Sequence, residues 1–336
     1  MKAPLERLVT GHDLAEEEAA DLLATLAAED CPQALAGAVL AALRAKGETA
    51  EELRGFARAM RRLALRPELP PGTPLVDTCG TGGDGSGSLN LSTGVALLAS
   101  ACGLRVAKHG NRSVSSRTGS ADVLEALGLA LPAANGAVGA LLARTGFTFL
   151  FAPHFHPAMK ALAPVRRSLG IRTVFNMLGP LTNPAEPPFQ LVGAFSPRAA
   201  GLIARSLAGL ITGRAFVVHG SDGWDEATPV GPFEVFDVRP GSVTHEVRDP
   251  AAYGLPRCRP EDLAGDGAPS NAAALTAALS GERGAHRDAL VLGAALVLQL
   301  TGVERAPRAA AARAAAAIDD GRAAALLASL RGGGHA

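Results

Sequence analysis

Apolar positions in the first 66 residues recur with the period of a helix. Leu22, Leu23 and Leu26 fall on one helical face, and Leu53 and Phe56 fall on another. Such spacing predicts amphipathic helices that pack through their apolar stripes. Three helices of this kind predict a small bundle, and its spare apolar surface favours a dimer contact.

Capping signals flank these stripes. Two pairs with the spacing of a capping box predict helix starts, and proline and glycine predict the first turn and the end of the helix between them. The positions are Asp13 with Glu16, Thr49 with Glu52, Pro32 and Gly47.

The pattern changes after PELPPGTP, residues 67–74, which has the composition of a linker. Short β-rich runs then alternate with helical ones: PLVDTC, LSTGVALLASAC, LRVAKHG, SADVLEALGL, FTFLFA, FQLVGAF, PRAAGLIARSLAGL and RAFVVHG. This alternation predicts a mostly parallel sheet covered by helices. FEVFDV and SVTHEV predict a hairpin, and the chain from Asn271 onward predicts Ala-rich helices.

A helical stretch interrupts the alternation between residues 156 and 184. Its pattern is broken at Pro164, Gly170, Gly179, Pro180 and Pro184, as expected for a crossover between domains. We therefore expect an α/β fold of two domains. A helical domain would span 1–72, with a crossover at about 164–186 packed on it, and an α/β domain would span 73–163 and 187–336.

Composition narrows the class of protein. The 336 residues carry 32 basic and 32 acidic side chains, so no net charge attracts nucleic acid or an anionic membrane. The four cysteines form no C-x-x-C pair, which disfavours a zinc or redox motif and suits a reducing cytosol. Without an apolar run of about 18 residues or a signal peptide, we expect a soluble cytoplasmic protein with no nucleic-acid or membrane partner.

The glycine run GTGGDG, residues 80–85, follows a predicted strand. Glycines let backbone N–H groups approach a phosphate closely, although a tight strand–helix turn is an equally simple explanation. The run also has the letters of a dinucleotide fingerprint. That fingerprint needs an acidic residue about 20 positions later, whereas this chain has the basic run LRVAKHG there. A dehydrogenase is therefore disfavoured.

Two further polar runs lie near the glycines in sequence. Asn90, Ser92 and Thr93 crowd a predicted helix start, where one cap would explain only one of them. KHGNR, residues 108–112, and the serines after it end the next predicted strand. Ligands bind at strand ends in open α/β sheets, and cations with hydroxyls suit a phosphorylated ligand. A solvated basic loop is the alternative.

Candidate metal ligands occur in two places. His154 and His156 are two residues apart, but without a third ligand nearby they are better explained as surface or capping residues. Asp225 and Glu226 follow the predicted strand RAFVVHG, and adjacent carboxylates in a loop can hold Mg²⁺. Taken alone, they are better explained as surface charges.

Together these motifs resemble the anthranilate phosphoribosyltransferase family. The matching segments, which cover nearly the whole chain, are GTGGD at 80–84, NLST at 90–93, KHGNRSVSS at 108–116, GSAD at 119–122, HPAMKALAPVRRSLG at 156–170, RTVFNMLGPLTNP at 172–184 and HGSDGWDEAT at 219–228. Ser88 stands where the family commonly has threonine, and Trp224 stands where it usually has an aliphatic residue.

The resemblance implies a fold, a reaction and a set of residues. The expected fold is a small N-terminal helical bundle and a larger α/β domain with a mostly parallel sheet, like that of nucleoside phosphorylases, in a homodimer joined through the helical domain. The expected reaction transfers phosphoribose from phosphoribosyl pyrophosphate to the amine of anthranilate in tryptophan biosynthesis, with Mg²⁺.

The implied site residues fall into four sets. The phosphoribosyl pyrophosphate set is Gly80, Gly83, Asp84, Ser88, Asn90, Leu91, Ser92, Thr93, Lys108, His109, Gly110, Asn111, Arg112, Ser113, Val114, Ser115, Ser116 and Ser120. The anthranilate set is Gly80, Asn111, His156, Arg166, Gly179 and Pro180. The Mg²⁺ set is Ser92, Asp225 and Glu226. The catalytic set is Lys108, His109 and Arg166.

Two other functions remain open for this fold. A pyrimidine-nucleoside phosphorylase-like enzyme would use phosphate and a nucleoside, and Asn111, Arg166 and the Asp-Glu pair argue against it. A non-biosynthetic relative that binds nucleic acid is disfavoured by the zero net charge.

Overall fold

The structure is a computed structural model that describes residues 2–72, 74–113, 118–132 and 135–331. Its centre is a seven-stranded sheet in the order β3-β2-β1-β4-β5-β6-β7. The first five strands in sequence run parallel, and β6 and β7 form an antiparallel hairpin at one edge. The strands are β1 Leu75–Gly80, β2 Arg105–Gly110, β3 Phe147–Phe151, β4 Phe189–Gly193, β5 Arg214–Gly220, β6 Phe233–Arg239 and β7 Ser242–Arg248.

Helices cover both faces of the sheet. They are α1 Lys2–Val9, α2 Glu16–Leu26, α3 Gln33–Lys46, α4 Ala50–Leu63, α5 Leu91–Ala101, α6 Ser120–Ala126, α7 Asn135–Thr145, α8 Ala152–Phe155, α9 Met159–Leu169, α10 Phe175–Leu178, α11 Pro197–Ala208, α12 Ala268–Leu279, α13 Ala285–Leu300, α14 Pro307–Asp319 and α15 Arg322–Arg331. The α/β fold with an N-terminal helical bundle and a mostly parallel sheet is confirmed.

Neighbouring residues of one strand point into different cores because side chains alternate across a sheet. Leu191 and Phe216 pack in the larger core with α5 and the C-terminal helices. Val192 and Val217, one position further along, pack in a second core with α11 and the N-terminal helices. The sheet therefore joins the two apolar cores.

The second core also contains side chains of the crossover segment. Leu162 and Val165 of α9, together with Phe175 of α10, are buried among residues of α1–α4. Arg61 of α4 adds a polar tie, because its Nε donates to the carbonyl oxygen of Leu181 at 2.7 Å. The chain after α10 is thus attached to the helical bundle before it returns to the sheet at β4.

Three local predictions in the helical segments need correction. The N-terminal region has four helices, since α1 precedes the three that the pattern indicated. Asp13 and Glu16 do not form a capping box: α2 begins at Glu16, and Glu18 accepts from the Ala15 N–H. Pro164 does not break its helix, because α9 continues across it.

The capping box of Thr49 and Glu52 is confirmed, with reciprocal hydrogen bonds of 3.1 and 2.9 Å. The helix between Pro32 and Gly47 is confirmed as well. In the described ranges, no helix is long and apolar enough to cross a membrane.

Candidate active site

The candidate residues gather at the carboxyl ends of the parallel strands. Gly80 at the end of β1 lies opposite Gly193 at the end of β4, and Gly110 at the end of β2 lies opposite Phe151. The strand order reverses at β1, because β2 lies on one side of it and β4 on the other. Ligands of open α/β sheets bind beside such a reversal.

Asp225 and Glu226 lie at this point, in the loop after β5. Asp225 Oδ2 accepts from the Gly82 N–H at 2.6 Å, and Glu226 Oε1 accepts from the Ser92 N–H at 2.8 Å. The pair therefore connects the glycine loop to the start of α5. Trp224 before it is buried in the larger core, and its carbonyl accepts from the Gly220 N–H at 2.8 Å, which closes the loop.

Burial makes this carboxylate pair unusual. Burial raises the pKa of Asp225 to about 7, and the nearby negative charge of Asp84 is the second cause of this rise. Burial, and then the charge of Asp225, raises the pKa of Glu226 well above its usual value. Glu226 Oε2 is buried without a hydrogen-bond partner in the described chain. An added cation would relieve both costs.

The donor set fits a hard cation such as Mg²⁺. Carboxylate oxygens are its preferred protein ligands, and Mg²⁺ usually keeps several waters or substrate oxygens. Across residues 2–72, 74–113, 118–132 and 135–331, no three His, Cys, Asp or Glu side chains form a complete metal cage. The protein would thus supply only part of the coordination shell, through Asp225 and Glu226.

Lys108 lies beside this pair with its side chain buried inside the sheet. Its Nζ donates to the carbonyl of Thr78 at 2.5 Å and to Ser92 Oγ at 3.3 Å. The charge of Lys108 lowers the pKa of Glu226 in opposition to burial. Lys108 and Ser92 therefore place a cation and a hydroxyl next to the carboxylates. Ser92, Asp225 and Glu226 also line a cavity of about 30 Å³, which has room for about one water.

The glycine loop owes its shape to its closeness to Asp225. A Cβ added to Gly80 would lie 2.7 Å from Asp225 Oδ2, so a larger residue there would displace the Asp225 carboxylate. Asp84 accepts from the Asp225 N–H at 3.2 Å and from the Ser86 N–H at 3.1 Å. Gly83 is held from the crossover segment, because the Arg172 guanidinium donates to its carbonyl.

The chain between the glycines and α5 is fixed from a distant helix. Asn271 of α12 donates to Asn90 Oδ1 at 2.9 Å, while Asn90 Nδ2 donates to the carbonyl of Thr118 at 3.0 Å. Asn90 thus supports the 118–120 backbone. Ser88 pairs with Ala264 as an isolated bridge. Leu91 and Thr93 are buried inside α5.

The chain after β2 carries the exposed part of the predicted phosphate site. Arg112 forms ion pairs with Asp122 at 2.9 Å and Glu125 at 2.6 Å. The carbonyl of Asn111 accepts from Ser120 Oγ at 3.2 Å. The structure brings together Gly110, Asn111, Arg112, Ser113 and Ser120. Val114, Ser115 and Ser116 lie outside the described residues.

Two histidines form the neighbouring part of the site. His109 and His156 have ring centroids 5.1 Å apart. His109 Nδ1 lies 3.3 Å from the carbonyl of Gly179, which accepts, so Nδ1 carries the proton. Burial lowers the pKa of His109 to about 3 and that of His156 to about 4. Both rings are therefore neutral near pH 7.

Arg166 and the 179–180 segment both adjoin the short helix α10, the former through the Phe175 ring and the latter as the next residues of the chain. The Arg166 guanidinium carbon lies 5.0 Å from the centre of the Phe175 ring, and burial lowers the pKa of Arg166. Within the described ranges, no carboxylate charge offsets this effect of burial on Arg166. Pro180 is fixed through its carbonyl, which accepts from Gln190 Nε2 at 2.9 Å. The half-buried Arg166 cation beside the Phe175 ring suits a ligand that is a small aromatic acid.

The remaining candidates differ in their outcome. His154 packs edge-on against Phe151 and belongs to no metal cluster of the described ranges.

The motifs assigned no role to four residues that support the site: Asp77, Arg172, Asn183 and Asn271. Asp77 had a detectable signal, because it is an acidic residue inside the apolar run PLVDTC.

Comparisons with known proteins agree with this geometry. The helical bundle model of the glycosyl transferase family matches residues 2–64, and its a/b domain model matches residues 72–324. A curated anthranilate phosphoribosyltransferase of Moorella thermoacetica is 47% identical over 330 residues, 98% of this chain and 97% of its own.

Solved structures give the same result. The crystal structure of anthranilate phosphoribosyltransferase from Thermus thermophilus has a TM-score of 0.90 and 42% identity, covering 98% of both chains. The Saccharomyces cerevisiae enzyme in complex with PRPP and Mg has a TM-score of 0.89 and 27% identity, covering 98% of this chain and 96% of that one. This chain therefore belongs to the anthranilate phosphoribosyltransferase family.

Proposed function

We propose that the protein transfers phosphoribose from phosphoribosyl pyrophosphate to the amine of anthranilate, releasing pyrophosphate, as its relatives are named to do. The bond between the anomeric carbon and the pyrophosphate oxygen breaks, and a bond from the anomeric carbon to the anthranilate nitrogen forms. The single observation that carries the proposal is the adjacent carboxylates of Asp225 and Glu226, which accept hydrogen bonds from the glycine loop and from the start of α5.

The donor half of the site consists of residues 80–93, Lys108, Asp225 and Glu226. Negative charge develops on the departing pyrophosphate, and preorganised positive groups stabilise such charge most strongly in a buried site. We assign this role to Lys108 and the glycine-loop N–H groups. Asp225 and Glu226 would hold Mg²⁺, which supplies further charge neutralisation at the leaving oxygens when bound.

The acceptor half consists of His109, His156, Arg166 and the 179–180 segment. An aromatic amine is neutral near pH 7, so its nitrogen can attack without prior loss of a proton. Arg166, whose pKa is affected by burial and by no carboxylate of the described chain, is the natural partner for the anthranilate carboxylate. Because His109 and His156 are neutral, they would not repel the positive charge that develops on the nitrogen as its bond to the sugar forms.

The nitrogen loses one proton after the new bond forms. His109 and solvent are the candidate acceptors. Burial lowers the pKa of His109 to about 3, which makes its imidazole a weak base. This favours water as the final proton acceptor and leaves His109 a role in shaping the pocket.

Activity is tested by following anthranilate fluorescence after adding phosphoribosyl pyrophosphate and Mg²⁺. We expect the fluorescence to fall only when both are present. A lack of any fall at every magnesium concentration would refute the proposal. A parallel reaction with inorganic phosphate and a pyrimidine nucleoside tests the phosphorylase alternative, and we expect no free base there.

We further propose a cytoplasmic homodimer. Val9, Leu65 and Ile171 are 66%, 54% and 52% exposed on or beside the helical bundle, and exposed apolar patches often mark protein contacts. All four cysteines are free thiols, in keeping with a reducing compartment. Sedimentation measurements that find only monomers at micromolar concentration would refute the dimer.

We also propose the domain division given by the pattern, with motion about residues 67–74 and the crossover at 164–186. Such closure would exclude water from the activated sugar. Arg172, which reaches from the crossover to the carbonyl of Gly83, supports this role. X-ray scattering with and without both substrates should detect a decrease in the radius of gyration.

A further inference from the structure

Two buried side chains outside the proposed donor and acceptor halves are hydrogen-bonded to each other. Asp77 lies in the middle of β1, and Asn183 lies between α10 and β4; both are 0% exposed. Asn183 Nδ2 donates to Asp77 Oδ2 at 2.8 Å and to the carbonyl of Ala107 at 2.9 Å. We call Asp77 and Asn183 the buried pair.

The other atoms of the buried pair are also satisfied. Asp77 Oδ1 accepts from the His109 N–H at 3.1 Å, and Asn183 Oδ1 accepts from the Ala185 N–H at 2.9 Å. A fully hydrogen-bonded buried network has little freedom to shift, because any displacement leaves a polar group unpaired. The buried pair therefore fixes the 183–185 backbone against β2.

The contacts on β2 lie on either side of Lys108. Ala107 accepts from Asn183, and His109 donates to Asp77. The same chain segment that contains Asn183 begins with Gly179 and Pro180 of the acceptor half. The buried pair thus links the backbone around a donor-half cation to the segment that borders the acceptor.

We propose that Asp77 and Asn183 are positioning residues that set the distance between the donor and acceptor halves. Neither side chain touches the reacting atoms; each acts through the backbone of β2 and residues 179–185. This inference rests on the proposed transfer reaction. A misplacement of about 1 Å between reacting groups can slow a reaction by about 10²-fold, so a rigid link is well suited to this position.

The test uses three variants of the full chain: Asn183→Ala, Asp77→Asn, and the exchange that combines Asp77→Asn with Asn183→Asp. The exchange restores an amide-to-carboxylate hydrogen bond between positions 77 and 183 with the roles reversed, but it leaves the Ala107 carbonyl without the donor that Asn183 supplied. Each variant is assayed for anthranilate consumed, pyrophosphate released, both KM values and the midpoint of thermal unfolding.

Both single variants should lower kcat/KM for anthranilate by about 10²-fold, while the KM for phosphoribosyl pyrophosphate stays near that of the parent. Pyrophosphate release should exceed anthranilate consumption, because water attacks when the amine is misplaced. The exchange should recover part of the loss. A purely structural role would lower the unfolding midpoint without changing the ratio of the two products.

Asp237→Asn is the matched control. It removes a partly buried carboxylate of β6 that pairs with Arg214 at the start of β5, away from the carboxyl ends of the parallel strands where the site lies. Folded single variants with parent kinetics and equal release of both products would overturn the inference, as would failure of all three variants to fold. If the parent protein transfers nothing to anthranilate, the proposed function itself fails, which is a separate outcome.

Discussion

The donor and acceptor halves differ in how burial affects their charged groups. In the donor half, two carboxylates are buried together and their pKa values rise. In the acceptor half, two histidines are buried together and their pKa values fall. The same desolvation thus leaves one half in need of a cation and keeps the two histidines of the other neutral. This difference matches a metal-bound pyrophosphate on one side and a neutral aromatic amine on the other.

Removing the donor-half carboxylates should have the largest effect. We expect Asp225→Asn with Glu226→Gln to lower kcat by about 10³-fold, because loss of preorganised charge stabilisation typically costs 10²–10³. The KM for anthranilate should change little. Steady-state kinetics across a magnesium series provide the measurement.

Asp222→Asn serves as the control for this double variant, since Asp222 is an exposed carboxylate in the same loop. If Asp222→Asn slowed the reaction as much as the double variant, the effect would come from loop disruption rather than from lost metal binding.

Removing the acceptor-half cation should have the next largest effect. We expect Arg166→Ala to raise the KM for anthranilate by about 10- to 100-fold, since hydrogen bonds to charged groups contribute about 1.5–3 kcal/mol. Arg167→Ala, at the exposed neighbouring position, should leave that KM unchanged. An unaltered anthranilate dependence in Arg166→Ala would place Arg166 outside the pocket.

The buried histidines should make stability depend on pH. The pKa of His156 is about 4 in the folded protein and about 6.5 when unfolded, so the unfolded chain binds more protons between these values. Its contribution to stability therefore decreases as pH falls below about 6.5, by about 2 kcal/mol at pH 5.

We expect His156→Gln to lose less stability than the parent between pH 7 and pH 5, measured by urea unfolding at each pH. His12→Gln, at an exposed position, should follow the parent. An identical pH dependence in His156→Gln and the parent would show that the histidine is not buried as a neutral ring.

Exposed charges of the phosphate site should matter least. Glu125→Gln removes one of the carboxylates that pair with Arg112 and should lower the KM for phosphoribosyl pyrophosphate by at most about fivefold, because exposed ion pairs contribute about 0–1 kcal/mol. An unchanged KM would mean that Arg112 does not have to leave Glu125 before the substrate binds. Initial rates at varied phosphoribosyl pyrophosphate distinguish these outcomes.

The sequence predicted the helix and strand order well because each element carries a strong local pattern. The run RAFVVHG coincides with β5, and the run PRAAGLIARSLAGL begins where α11 begins, at Pro197. The extra helix at the N-terminus is short, with only Leu8 buried, so its apolar stripe is weak. Pro164 lies in the middle of α9 and removes one backbone hydrogen bond there, but the buried side chains of Leu162 and Val165 on either side hold the helix in place across it.

Motifs identified the residues at the strand ends but not those that hold them. Asp225 and Glu226 stood out because two adjacent acids followed a strand. The role of Asn183 depends on a partner 106 positions away in the chain, and that of Asn271 depends on one 181 positions away. No local period or spacing encodes such contacts, which arise only once the sheet is assembled.

The central claim is that one half of the site requires a cation and the other accepts a neutral amine. The most direct test measures pyrophosphate released and anthranilate consumed in the same reaction, with Mg²⁺ and with a chelator. We predict equal amounts of the two with Mg²⁺ and neither with the chelator. Full transfer in the presence of the chelator, or pyrophosphate release with no anthranilate consumed, would contradict the account.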